Sequence, residues 1–420
     1  MSAVLRRAAI SMQIPLALSA DPDSTWQVGP FNNRWREGSD RELSGDRVGR
    51  RKYLIEGLDE ILYNNRWHQS SPSLSLPPVA GVTKVKAVEV WRLPTTGPRP
   101  NGILIVHLSI DPDADVLRVI NKVVNHNPSH GGAMRLWVDE IVDPWGRIVS
   151  SHRRAEHVSL VTSDSSTMPD TPLVKVSKKI DGHNLWLASL EASGRYGPDV
   201  TMMPNVGTYI PMSNRIRGLV GRGAIALVGL LPDDGSSRGA TGFDYGGLEF
   251  FAEGLYTDTL LFARLQRIMV GELRDELAEA RNSGTGKQAL WRLERRLVDF
   301  RRIYWRTDIA PQGSQDDFLR AYQAENAVPA QLAEVAAQLT EYSAQVQRTE
   351  QEITNALLGL VTVVALPISS AIAIWAGIDE RTVCQLLIAL GIAMALAAVL
   401  VATPAARSLL KPLFKKKHVS

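Results

Sequence analysis

Ala356–Ile378 reads ALLGLVTVVALPISSAIAIWAGI and Val383–Thr403 reads VCQLLIALGIAMALAAVLVAT, and neither run holds a charged residue. At 1.5 Å per residue the first run, 23 positions, spans roughly 34 Å, enough to cross a hydrocarbon core of about 30 Å. Only Asp379, Glu380, Arg381 and Thr382 separate the two runs, so they predict a tight hairpin whose outer ends lie on one side of a bilayer. Beyond the second run come Arg407, Lys411, Lys415, Lys416 and Lys417. Positive charge of this kind is retained inside the cell. The expected fold class is therefore an α+β membrane protein with a cytosolic α/β domain, a helical stalk and a C-terminal two-helix transmembrane hairpin. It is expected in the plasma membrane with both termini cytoplasmic and the lipid bilayer as a partner.

Working back from the first run, Leu332, Val335, Leu339, Tyr342, Val346, Thr349, Ile353, Ala356 and Leu360 alternate steps of three and four. Pro329 suits the first turn of such a helix. The heptad seam runs into the apolar segment without a break, which predicts one helix of about fifty residues, on the order of 75 Å. A rod of that length needs partners, and identical subunits around an axis supply them. Two shorter helices precede it. Phe262, Leu265, Met269, Leu273 and Leu277 mark the first, Asn282–Gly286 (NSGTG) ends it, and Leu290, Leu293, Leu297, Phe300 and Tyr304 mark the second. The second also carries Arg292, Arg295, Arg296, Arg301 and Arg302, a solvated basic face or a surface for an acidic partner or anionic lipid.

Upstream, VTKVKAVEVW from Val82 and GILIVHLSI over Gly102–Ile110 read as strands. Asp113 or Asp115 caps a helix bearing Val116, Val119, Ile120 and Val123. Further strands are expected at Met134–Ile141, His183–Leu190, Thr208–Met212 and Ala224–Leu231. Residues 1–80, with SPSLSLPP near Ser71, read as a poorly ordered arm. Met1–Asp21 has a loose signal-peptide texture, but Gln13 and Pro15 interrupt it, and a frayed arm is the expectation. The segments are thus 1–80 arm, 81–254 α/β domain, 255–355 stalk region, 356–378 and 383–403 membrane helices, and 404–420 basic cytoplasmic tail.

An α/β domain, a helical region, a long helix that becomes the first of two terminal spans, and the tail Phe414-Lys415-Lys416-Lys417: this arrangement over Leu255–Ser420 resembles the CorA-like metal-ion transporters. The resemblance implies a homopentameric channel for Mg²⁺ or related divalent cations, the first span lining the pore and the cytosolic domain gating it. The family's Gly-Met-Asn after the first span is replaced by Trp375-Ala376-Gly377-Ile378-Asp379-Glu380, with Gly377 its only echo. Asp379 and Glu380 from several subunits would concentrate cations at an external mouth. Along the first span Asn355, Thr362 and Ser369 recur every seven residues with Gly359, Leu366 and Ala373 between them, a small and polar stripe that suits either a pore lining or close helix packing. Leu366 is the expected constriction. The alternative reading is a membrane-anchored sensor or effector of the same architecture without metal transport.

Other chemistry finds little support. The 420 residues carry a formal charge of +3, which offers nothing toward nucleic acid as a partner. The single cysteine, Cys384, lies in the second apolar run, so no disulfide framework forms. Gly284-Thr285-Gly286-Lys287 lacks the Gly and Ser/Thr of a phosphate loop, having Arg281 and Gln288 instead. Asp233–Gly247 reads as a surface loop, Asp111, Asp113 and Asp115 as helix-capping residues, and His126 and His130 as flanking a turn at Pro128. No nucleophile, base and orienting acid assemble from local spacing, so the chain is not expected to be an enzyme or to hold a cofactor beyond a divalent cation as substrate or regulator.

Overall fold

The computed structural model describes residues 4–376 apart from 38–40, 71–74, 96–99, 126–132, 144, 150–154, 166, 170–181, 193–206, 214, 231–244, 284–285 and 312. Beyond 376 it describes positions 384, 387, 388, 391, 392 and 395 alone. His126, His130, most of Asp233–Gly247, the mouth residues Gly377, Asp379 and Glu380, and the tail lysines Lys415, Lys416 and Lys417 lie outside the described residues.

In chain order the elements are β1 (Leu5–Leu18), β2 (Gln27–Val28), β3 (Arg34–Glu37), β4 (Arg41–Ser44), α1 (Arg47–Arg51), α2 (Leu58–Tyr63), β5 (Arg66–Ser70), β6 (Val82–Arg92) and β7 (Gly102–Ile110). There follow α3 (Val116–Val124), α4 (Ala133–Val142), β8 (Gly146–Ile148), β9 (Glu156–Ser163), α5 (Gly182–Glu191), β10 (Thr208–Pro211), β11 (Ile216–Val220) and β12 (Ala224–Gly229). The remainder is helical: α6 (Tyr245–Phe251), a π-helical turn at Ala252–Tyr256, α7 (Thr257–Ser283), α8 (Gly286–Asp299), a second π-helical turn at Phe300–Tyr304, α9 (Gln315–Glu325) and α10 (Val328–Ala376). The chain divides into two compact units, one of Met1–Asp275 with Leu297–Ala333 and one of Glu276–Arg296 with Glu334–Ser420.

The first unit is built on a mixed sheet in the order β10-β11-β12-β9-β1-β7-β6-β5-β2, with β8 pairing the end of β1. Among the described residues only β9 and β12 run parallel; the other neighbours are antiparallel. The central strand, β1, comes from the segment expected to fray. Its side chains alternate: Ala8, Ile10, Met12, Ile14 and Leu16 enter the hydrophobic core, while Ser11 and Gln13 point to the opposite face. Pro15, which cannot donate to a ladder, sits where the pairing passes from β9, ending at Gln13, to β8, starting at Leu16.

One face of the sheet packs with α3, α4 and α5. Val116, Ile120 and Val123 of α3, Met134, Trp137, Val138 and Ile141 of α4, and Trp186, Leu187 and Leu190 of α5 join Val88, Val106, Leu108, Val161 and Val228 in one core. Asp115 caps α3 by accepting from the Arg118 amide, as the sequence indicated. The segments Met134–Ile141 and His183–Leu190 are helices, not strands: in the first, Met134, Trp137, Val138 and Ile141 are buried at helical spacing while Leu136 faces solvent, and the second is buried on nearly every side. The other face meets the π-helical turn, α7 and α9, with the Phe318 ring lying over Gly218, so close that a Cβ there would stand 2.7 Å from ring carbons.

In the second unit the last turns of α7, α8 and the following part of α10 form a helical bundle. Leu277, Ala280, Leu290, Leu293, Val335, Leu339 and Tyr342 are buried, the Tyr342 hydroxyl donates to the Ala280 carbonyl at 3.2 Å, and Lys287 pairs with Glu350 at 3.2 Å. The expected seam is thus covered by the chain's own hairpin as far as Tyr342; Val346 and Ile353 are half-buried. Helix α10 runs 49 residues, close to the length read from the heptads.

The membrane expectation is corrected. Among the described residues no helix is long and apolar enough to cross a membrane, so the transmembrane hairpin of the expected fold class is not found. The described end of α10 carries exposed Leu357, Leu358, Val361 and Ile372 together with exposed Thr354, Asn355, Thr362, Ser369 and Ser370. Most of 383–403 lies outside the described residues, and Cys384 is exposed.

Candidate functional site

The densest chemistry of the first unit lies on the sheet face turned toward α7. Glu89 of β6 and His107 of β7 are fully buried polar side chains, and Ser11 of β1 stands directly across from His107. Around them close Arg66 at the start of β5, Arg50 of α1, Tyr63 of α2 and Asp258 in the first turn of α7, each almost fully buried. Arg66 grips Glu89 bidentately, Nε to Oε2 at 2.7 Å and Nη2 to Oε1 at 2.8 Å, and donates through Nη1 to Asp258 at 2.6 Å. Asp258 also accepts from Arg50 at 2.9 Å and from the Tyr63 hydroxyl at 2.7 Å. Arg50 spends its remaining donors on the carbonyls of Gly45 and Phe31, both at 2.6 Å.

Two guanidinium groups and two carboxylates balance in charge, which is what permits them to be buried. Burial opposes the charged form of Glu89, but Arg66 and then His107 outweigh it and hold the carboxyl well below its ordinary range. Burial likewise opposes the Arg66 cation, and Glu89 with Asp258 more than restores it. Tyr63 is driven the other way, burial first and Asp258 second holding its phenol protonated.

Ser11 Oγ lies 2.7 Å from His107 Nδ1, and His107 Nε2 lies 2.6 Å from Glu89 Oε1. An ionised Glu89 can only accept, so Nε2 carries the proton and Nδ1 accepts from the serine. Hydroxyl, imidazole and carboxylate in line is the wiring of an acyl-transfer relay. Its surroundings are not. Ser11 is 2 % exposed and His107 and Glu89 are 0 % exposed, so a substrate carbonyl has no approach to Oγ. Glu89 is also tied to Arg66 and to the Phe31 amide at 2.8 Å. This arrangement fastens β1, β6 and β7 to the N-terminal helices and α7.

A second cluster lies on the same face. Glu156 at the start of β9 is paired with Arg267, lies 3.4 Å from Arg264 Nε and accepts from the Tyr322 hydroxyl of α9 at 2.9 Å. Arg264 also donates to the Gln13 carbonyl at 3.1 Å. Burial opposes the Glu156 charge, yet Arg264 and Arg267 keep its carboxyl below the usual range. Lys86 joins Glu249 and Glu253, and Arg7 reaches Glu249 at 2.6 Å. At the end of α5, burial first and the nearby Glu325 carboxylate second raise Glu191 to about 7.

None of these residues was singled out by sequence reading. They are scattered from position 7 to position 325, and the one local signal was a charged or imidazole side chain among strand-forming residues, Glu89 in VTKVKAVEVW and His107 in GILIVHLSI. Of the stripe expected to line a pore, Asn355, Thr362, Ser369 and Ala373 are exposed, Gly359 is half-buried, and the Leu366 side chain lies outside the described residues. The Thr362 and Ser369 hydroxyls turn back onto their own helix, donating to the Leu358 and Ala365 carbonyls at 2.8 and 2.7 Å. Among the described residues no three His, Cys, Asp or Glu side chains gather as metal ligands.

Comparison with protein-family models, with curated proteins and with solved structures finds no match for the chain. No described helix is able to cross a membrane, and the comparisons bear neither on ion transport nor on the CorA-like resemblance.

Proposed function

We propose that the chain is a subunit of a self-assembling sensor or effector, in which the sheet unit receives a signal and α10 joins copies of the chain. The observation that carries this reading is the change in surface along α10. Its seam up to Tyr342 is covered by α7 and α8, whereas farther on Leu357, Leu358, Val361 and Ile372 are 51 %, 58 %, 54 % and 52 % exposed. Apolar side chains grouped on one helix mark a contact surface, and fully covering a leucine or isoleucine is worth about 1.5–3 kcal/mol. The Thr362 and Ser369 hydroxyls are already satisfied by their own helix, so covering them strands no donor.

The sealed polar network supports a binding or mechanical role over catalysis, because its groups are spent on one another. The experiment is a mass measurement by light scattering on the full chain and on a Leu358→Lys, Val361→Lys variant, with far-ultraviolet circular dichroism as a check on folding. An oligomer for the wild type and a monomer for the variant supports the reading. A wild-type monomer, or a variant that assembles unchanged, rejects it. Recovery of a wild-type monomer with neutral lipid vesicles would show that lipid covers the apolar end.

A further inference from the structure

The helical unit sorts its charges by helix. The outward face of α8 carries Lys287, Trp291, Arg292 and Arg295, all exposed, with Trp291 at 65 % and Lys287 above its ring at 5.9 Å. The acid on that face is Glu294. The outward face of α10, away from its buried seam, carries exposed Glu334, Glu341 and Glu352, with Arg348 as its base. Spacings of seven and eleven residues bring these three carboxylates onto one stripe, being close to two and three whole turns. Both faces turn away from the buried seam, and among the described residues the ion pair between α8 and α10 within one chain is Lys287–Glu350.

Their heights along the bundle agree. The pair Lys287–Glu350 fixes one level. The contact of Tyr342 with Ala280 and the pairing of Arg296 with Glu276 show that α8 runs back along α10 from there. Arg295 stands eight residues from Lys287, about 12 Å along its helix, and Glu341 stands nine residues from Glu350, about 13.5 Å along its own. Copies related by an axis parallel to the rods keep their heights, so Arg295 of one copy faces Glu341 of the next with an offset of about 1.5 Å.

Resting on the self-assembly proposed above, we infer that the Trp291–Arg295 face of α8 docks on the Glu341 stripe of α10 in the neighbouring copy. The contact is head-to-tail, with a different patch on each side, and repetition around the axis closes a ring. Trp291 supplies its apolar centre, while Arg292 and Arg295 against Glu341 set its register and reject a reversed neighbour.

The test uses the full chain and sedimentation equilibrium at low and high salt on wild type, Trp291→Ala, Arg295→Glu, Glu341→Arg and the combined Arg295→Glu, Glu341→Arg variant. Trp291→Ala and each single charge reversal should weaken association about tenfold or more at low salt, and the combined variant should return to within about threefold of wild type. Circular dichroism confirms that each variant folds. A wild-type oligomer that none of the single changes disturbs, or a combined variant no better than its parents, overturns this interface and leaves self-assembly through α10 standing; a wild-type monomer removes both. Capture of the wild type by phosphatidylserine vesicles, lost in Arg292→Glu, Arg295→Glu while the oligomer is unchanged, assigns the face to anionic lipid and also overturns the inference.

Discussion

Asp258 accepts three hydrogen bonds where water does not reach: from Arg50 at 2.9 Å, from Arg66 at 2.6 Å and from Tyr63 at 2.7 Å. Asp258→Ala leaves two buried guanidinium groups short of a counter-charge and one phenol without an acceptor. Arg50 keeps its two backbone carbonyls and Arg66 keeps both oxygens of Glu89, so neither cation is wholly abandoned. Removing one partner of a buried ion pair costs about 3–5 kcal/mol, and three charge-assisted bonds at one carboxylate place this case near about 4 kcal/mol. The contrasting change is Asp308→Ala, which breaks the pair with Arg320 where both side chains are more than half exposed. That substitution should cost no more than about 0.5 kcal/mol. Urea unfolding followed by circular dichroism measures both, and the Asp258 variant should also melt roughly 10 °C lower. A loss for Asp258→Ala below about 1 kcal/mol, or no larger than that for Asp308→Ala, would refute the view that this network fastens α7 to the sheet.

Three further outcomes follow from the same packing. Glu191, raised to about 7, sheds stability as pH climbs from its ordinary 4.5 toward 7, whereas His157, lowered by burial to about 4, sheds stability as pH falls from 6.5 toward 4, and His68, also lowered by burial, adds to that loss on acidification; between pH 4.5 and 6.5 the Glu191 slope therefore opposes the histidine slopes. Glu191→Gln removes one of these opposing slopes, so it should gain about 2 kcal/mol at pH 7 and lose stability on acidification below 6.5, a profile that pH-dependent urea midpoints read directly. Ser11, sealed against His107, should resist a fluorophosphonate reagent in the folded protein, and Ser11→Ala should cost about 1–2 kcal/mol by leaving the imidazole Nδ1 without its donor; labelling of native Ser11 would show that the relay is open. Gly218→Val, pressing a side chain into the Phe318 ring, should destabilise the sheet unit by about 1–3 kcal/mol in thermal melts.

Local pattern was enough for part of this fold. Strands β6 and β7 announce themselves by β-branched runs, Asp115 by its capping position, and α7, α8 and α10 by long repeats at helical period. The short apolar runs MRLWVDEI and HNLWLASL did not distinguish strand from helix, because eight residues with buried side chains on several faces satisfy both periods. Strand β1 was hidden by Arg7, Gln13 and Pro15, whose roles are set by neighbours more than ninety residues away: Arg7 pairs with Glu249, Gln13 donates to the Thr257 carbonyl, and Pro15 falls at the gap between β9 and β8. The polar clusters were unreadable for the same reason, since Arg66 and Asp258 are 192 positions apart. The apolar runs of the C-terminal segment were legible as hydrophobic, yet hydrophobicity alone does not say what covers them.

The placement of β1 has a consequence for how the chain is made. Its first ordered residues leave the ribosome long before Gly102–Ile110 and Glu156–Ser163, the two strands that flank it. A nascent chain must therefore hold a 14-residue β-forming segment without its neighbours through more than a hundred further residues of synthesis, which favours slow sheet closure and early chaperone engagement. A truncation into Leu5–Leu18 removes the middle of the sheet and not its fringe.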